Sequence, residues 1–222
     1  MADYKRLYII AGHYGSGKTN VAVNLALKMK NDGLKVKIAD LDIVNPYFRT
    51  KDSAKVLENA GIELISPTFA NSNVDLPALP QEAYGLFQQR EFYGVIDVGG
   101  DDRGAYALGR YAPYIKEENN YEMCYVFNCF RPLTRTAEEA FEVIKEIEVA
   151  CKIPFTAIIN NSNIGEDTTK EDVLSSLKEA QRLSQLSHLP IIYNSVMADV
   201  EVEISQKLPL KLQEKYYDVK EI

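Results

Sequence analysis

The octapeptide Gly12-His13-Tyr14-Gly15-Ser16-Gly17-Lys18-Thr19 constrains this chain more than any other feature. It fits G-x-x-x-x-G-K-S/T, a pattern whose chemistry needs a tight turn between a strand and a helix. The glycines let successive N–H groups curl inward around phosphate oxygens, and the following helix adds its positive end. The flanks agree. Leu7-Tyr8-Ile9-Ile10-Ala11 is short and apolar, as a buried strand should be. Lys18 to Lys30 places Val21, Leu25 and Met29 at helical spacing, and Asn31-Asp32-Gly33 supplies a stop. In such a turn Lys18 reaches the β- and γ-phosphates and the Thr19 hydroxyl ligates Mg²⁺. Gly12 to Thr19, with Asn20 next on the helix, are the candidate nucleotide-binding residues.

Further apolar runs end in Ala39, Ile65, Ile96, Phe127, Ile159 and Ile192, with longer amphipathic stretches between several of them. Most are apolar on successive rather than alternate residues, the pattern of strands buried on both faces. Glu138 to Cys151 carries a core stripe of Ala140, Ile144, Ile147 and Cys151, and Thr168 to Leu186 opens on a capping box from Thr168 to Glu171. Strand and helix alternating in this way predict an α/β fold, a doubly wound, mostly parallel sheet with helices on both faces. The 222 residues are read as one nucleotide-binding domain, 1–222, with Ser66 to Pro80 as its loosest loop.

Two carboxylate positions complete the expected site. Ile38-Ala39-Asp40-Leu41-Asp42 ends the second run, and Asp40 and Asp42 share one side of a strand. Strand ends of this sheet type meet the ligand at the carboxyl edge, where Asp42 would hold a Mg²⁺-bound water or position an attacking one. Gly94-Val95-Ile96-Asp97-Val98-Gly99-Gly100 has the Walker B layout, with Asp97 holding Mg²⁺ through water. Asp97 and Gly100 form a D-x-x-G spacing in which the Gly100 N–H senses the γ-phosphate. Candidate catalytic residues are therefore Lys18, Asp42 and Asp97, and candidate metal ligands Thr19, Asp42 and Asp97.

This order of elements, followed by Asn160-Asn161, resembles the MinD/ParA/CobQ/CobB family of P-loop ATPases of the SIMIBI class, over residues 1 to about 200. The resemblance implies that Asp42 is the switch I acid, that 97–103 is switch II, and that Asn160 or Asn161, with Asn161 favoured, contacts adenine. One position departs. Many members carry a second lysine just after the first glycine, reaching across an ATP-bound dimer, and here it is His13. Family branches without that lysine include dethiobiotin-synthetase-like and CobB-like enzymes, which resemble this chain in its motifs and act on small molecules, so a homodimer stays open. No Asn/Thr-Lys-x-Asp tetrad follows the sixth run, which favours ATP over GTP.

The remaining features restrict partners. With 32 acidic against 25 basic side chains and a net charge of −7, broad contacts to a nucleic-acid backbone are disfavoured. Three cysteines without framework spacing, no apolar leader at the start and no long uncharged apolar run predict a cytoplasmic chain that neither spans nor targets a membrane. Cys124, Cys129 and Cys151 read as packing residues, and His188 has no second histidine at ligand spacing. Tyr106, Tyr111 and Tyr114, with Arg103 and Arg110 in one helix, read first as core with solvated arginines and second as a partner face. Lys207 to Leu212 is too interrupted by Pro209 to be a membrane-surface helix. The leading expectation is an ATP- and Mg²⁺-dependent ATPase switch acting on a protein partner. The alternative is a small-molecule kinase or ligase, kept open by Asn45, Tyr47 and Arg49.

Overall fold

The computed structural model describes residues 4–41, 53–66, 81–100 and 102–213. Its strands are β1 Leu7–Ala11, β2 Val36–Leu41, β3 Glu63–Ile65, β4 Tyr93–Val98, β5 Tyr121–Phe127, β6 Ala157–Asn160, β7 Ile191–Met197 and β8 Lys207–Leu210. Its helices are α1 Lys18–Asn31, α2 Ala54–Asn59, α3 Gln81–Gln88, α4 Asp102–Gly109, α5 Ala112–Glu118, α6 Ala137–Cys151 and α7 Lys170–Ser187. All pairings in the sheet are parallel, in the order β3-β2-β4-β1-β5-β6-β7-β8. The chain winds to one side of β1 through β2 and β3 and to the other from β5 onward. The carboxyl ends of β1, β4 and β5 therefore frame a crevice at the switch point.

Strict alternation along the central strands builds two cores. Leu7, Ile9 and Ala11 face Leu108 of α4, Ile115 of α5 and Ile144 of α6. Tyr8 and Ile10 join Val21, Leu25 and Met29 of α1 in the other. Successive apolar residues are what a strand covered on both faces requires, and β1 and β2 are buried at every position. Each fully buried Leu or Ile contributes about 1.5–3 kcal/mol relative to exposure, so the paired cores fix the layer order.

Helix ends follow local chemistry. At the end of α1, Gly33 has φ 92° and donates its N–H to the Lys30 carbonyl. Thr136 and Glu139 form a capping box on α6. The box on α7 uses Thr169 and Asp172, one residue later than the sequence predicts. Thr168 is committed elsewhere: its hydroxyl donates to the Gly165 carbonyl at 2.6 Å and accepts from the Ile164 N–H at 3.0 Å.

One other expectation needs correction, and one stretch gains a definite form. The segment after switch II is two helices, because Pro113 near the start of α5 has no N–H with which to continue α4. Of its tyrosines, Tyr111 is fully buried against Tyr84 and Phe87 of α3, whereas Tyr106 and Tyr114 are 65% and 46% exposed. Lys207 to Leu210 is strand β8, with Leu208 and Leu210 buried and Pro209 exposed. At the opposite rim, before β1, buried Arg6 pairs with Glu118 at 2.6 Å and donates to the Leu86 and Phe92 carbonyls.

Candidate nucleotide-binding site

The loop from Gly12 to Gly17 joins β1 to α1, and three of its residues have positive φ: Gly12 at 152°, Gly15 at 76° and Gly17 at 85°. A Cβ on Gly12 would lie 2.7 Å from the Val126 carbonyl oxygen, so the loop passes too close to β5 for any side chain there. Gly17 is the N-cap of α1. No side chain caps that helix and no acid stands in its first turn, unlike α6 and α7. Its first N–H groups are left for an anion. Lys18 is buried at 6% exposure, and its ammonium donates to the His13 carbonyl at 3.1 Å across the loop.

β4 is the direct neighbour of β1, which brings Asp97 beside this loop. Asp97 and Asp40 are register partners on β4 and β2, 1% and 2% exposed. By alternation both share the face of Val95 and Ile38, the side covered by α1. Asp42 and residues 43–52 lie outside the described residues, as do 67–80 of the predicted loop and Asp101. Gly100 sits directly on the phosphate loop: a Cβ there would be 2.6 Å from Lys18 Nζ and 2.8 Å from Tyr14 Cα. The D-x-x-G segment and the phosphate loop are thus in backbone contact.

The late asparagines divide by role. Asn160 is fully committed within the fold: its amide donates to Ser176 Oγ and Asn194 Oδ1, both at 3.1 Å, and its oxygen accepts from Ser162 Oγ at 2.8 Å. Asn161 turns instead to the phosphate loop and donates to the Ser16 carbonyl at 2.7 Å. Asn163 donates to Asn161 Oδ1 at 3.1 Å, which fixes the orientation of that amide. Asn20 faces away from the loop, and its side-chain oxygen accepts from the Gln213 N–H. Thr19 stands at the second position of α1, half-buried, its carbonyl accepting from Gln213 Nε2 at 3.4 Å. The ring of His13 folds back, Nδ1 lying 2.9 Å from the Tyr14 carbonyl.

Sequence reading passed over two residues of this region, Asn128 and Arg131. The turn after β5 is built on buried Asn128, whose amide donates to the Asn163 carbonyl and whose oxygen accepts from the Phe130 N–H. Thr134 Oγ1 closes that turn on the Asn128 carbonyl at 2.9 Å. It delivers Arg131 to the side of Gly15. No sequence motif marks this turn; only the adjacency of β1, β5 and β6 does. Burial pushes the thiols of Cys124, Cys129 and Cys151 above the usual thiol range. Among the described residues no three His, Cys, Asp or Glu side chains gather as a metal cluster. A hydroxyl and a carboxylate beside a phosphate cradle do suit Mg²⁺, which keeps several waters and phosphate oxygens as ligands.

No family model matches the chain, and no curated protein matches it. Solved structures match its fold. FtsY of Thermotoga maritima superposes with a TM-score of 0.61 at 18% identity, and FtsY of Mycoplasma mycoides with 0.59 at 19%. In both cases the match covers 89% of this chain and 63% of the other. The signal recognition particle 54 kDa protein of Aeropyrum pernix, a complex with GDP, matches at 0.53 and 15% identity, covering 87% of this chain and 42% of that one. The chain thus spans under two thirds of the length of these neighbours. The shared architecture is the α/β fold of P-loop NTPases. No helix among the described residues is long and apolar enough to cross a membrane.

Proposed function

We propose that this chain is a Mg·ATP-binding P-loop ATPase of the MinD/ParA/CobQ kind, a nucleotide-driven switch acting on a protein partner in the cytoplasm. The loop amides and Lys18 bind and neutralise the phosphates, Thr19 and Asp97 hold Mg²⁺, and Asp42 orients the attacking water. The observation that carries this reading is the seat of Gly100 against Lys18 and Tyr14. A γ-phosphate bound by Lys18 has to arrive where Gly100 already touches the loop, so its arrival and departure would move switch II and the helix behind it.

Adenine is favoured because Asn160-Asn161-Ser162-Asn163, at the end of the sixth strand, is not an Asn/Thr-Lys-x-Asp tetrad and lacks the aspartate that reads guanine. The GDP held by the A. pernix neighbour favours guanine as the second reading. Calorimetric titration with MgATP and MgGTP in parallel separates them. Preferential MgATP binding that Lys18→Ala abolishes is the expected result. Equal failure of both nucleotides to bind wild-type protein ends the proposal. Steady ADP release with water alone supports the ATPase; release that needs a small-molecule acceptor supports a kinase or ligase.

A further inference from the structure

We propose that Arg131 is a phosphate-contacting residue of the nucleotide site, supplied within the same chain from the turn after β5. The inference rests on the nucleotide-binding reading above and adds a residue that the phosphate-loop motif does not contain. The Arg131 Nε and Cδ lie 3.8 and 3.9 Å from where a Cβ on Gly15 would stand, so the guanidinium stem runs alongside the loop. Gly15 itself is exposed and has φ 76°, which leaves its flank open to that approach.

The turn holding Arg131 is rigid for a loop. Its N–H donates to the Asn128 carbonyl at 3.2 Å, and its carbonyl accepts from the Thr134 N–H at 3.1 Å. Asn128 and Thr134 are each 1% exposed, and Pro132 follows directly. Cys129 N–H also donates to Ser162 Oγ at 3.0 Å, tying this turn to the one that carries Asn161. Two neighbouring turns therefore fasten onto consecutive residues of the phosphate loop, Arg131 at Gly15 and Asn161 at Ser16.

Charge completes the case. Among the described residues no carboxylate lies within ion-pair distance of Arg131, as for Arg110 and Arg135 and unlike Arg6, Arg90 and Arg182; of the unpaired three, Arg131 is the one beside the phosphate loop. A guanidinium without a carboxylate beside a loop that already bears Lys18 is complementary to an anion carrying several charges. A nucleoside polyphosphate has that chemistry. The arrangement supplies in cis an exposed cation on a hydrogen-bonded turn, in a site where His13 replaces a lysine.

The test measures MgATP and MgADP affinity by calorimetry at low and moderate salt, together with the thermal midpoint of nucleotide-free protein. Wild type is compared with Arg131→Ala, Arg131→Lys and Lys145→Ala, the last removing one positive charge from the exposed face of α6. Arg131→Ala should weaken binding about 10- to 100-fold and flatten its salt dependence, without lowering the nucleotide-free midpoint. Arg131→Lys should recover part of the loss, and Lys145→Ala should bind as wild type. Undiminished affinity in Arg131→Ala overturns the proposal and leaves the nucleotide reading intact. So does an equal loss in Lys145→Ala, or a loss accompanied by a lower midpoint that lysine does not restore. Wild-type protein that binds neither nucleotide overturns both.

Discussion

Asn161 donates its side-chain amide to the carbonyl of Ser16 at 2.7 Å, joining the turn after β6 to the loop after β1. Asn160, one residue earlier, makes no such link and instead binds Ser176 of α7 and Asn194 of β7. Adjacent asparagines thus have separable effects. Asn161→Ala should weaken nucleotide binding about tenfold while the fold holds. Asn160→Ala should leave buried partners without hydrogen bonds and cost about 2–3 kcal/mol of stability. Urea unfolding and nucleotide titration of both variants check the division; equal effects on either measure refute it.

Gly100→Ala places a methyl group 2.8 Å from Tyr14 Cα, closer than real contacts allow. Lys18 Nζ can swing aside, but the Tyr14 backbone cannot, so the loop and the D-x-x-G segment must separate. Turnover should fall at least tenfold, with a smaller change in ADP affinity. Single-turnover hydrolysis beside ADP titration measures both, and wild-type turnover in the variant contradicts the coupling.

The Arg6–Glu118 pair is buried on both sides, at 6% and 7% side-chain exposure. Removing one partner strands a charge in the interior. Glu118→Ala should cost about 3–5 kcal/mol, far above the figure for an exposed pair such as Lys145–Glu142. Denaturant unfolding of the two carboxylate variants compares them directly.

The Thr169 N–H and hydroxyl on Asp172 hold its carboxyl below the usual value of 3.8. A lowered folded-state pKa contributes stability that is present above pH 3.8 and lost as pH falls through the folded value. Asp172→Ala should therefore lower the thermal midpoint at pH 7, and the gap to wild type should close below about pH 4. A gap unchanged down to pH 2.5 contradicts this role for the capping box.

Much of the fold is legible because β1, β2, β4 and β5 are buried on both faces, which forces apolar runs into the sequence. The phosphate loop is legible because its backbone geometry needs glycines at fixed spacing. Sequence fails where tertiary placement decides. Thr168 and Thr169 are equally good caps until the Gly165 turn occupies the first. Arg131 is one exposed arginine among others until strand order sets β5 beside β1. Asn160 and Asn161 differ only in which way a strand end turns.

Among the described residues β8 is the edge of the sheet, and Pro209 sets the character of that edge. Asn194 of β7 and Ala198 just after it donate to the Gln206 and Leu210 carbonyls, so Lys207 and Pro209 present their backbone outward. At Pro209 that outward edge has no proton to offer, and an incoming strand would find a gap in its ladder. Growth of the sheet by adding a strand from another copy is disfavoured at this edge. A filament or edge-to-edge dimer is then easier to build from another surface, and Pro209→Thr is the change that would open this edge to aggregation.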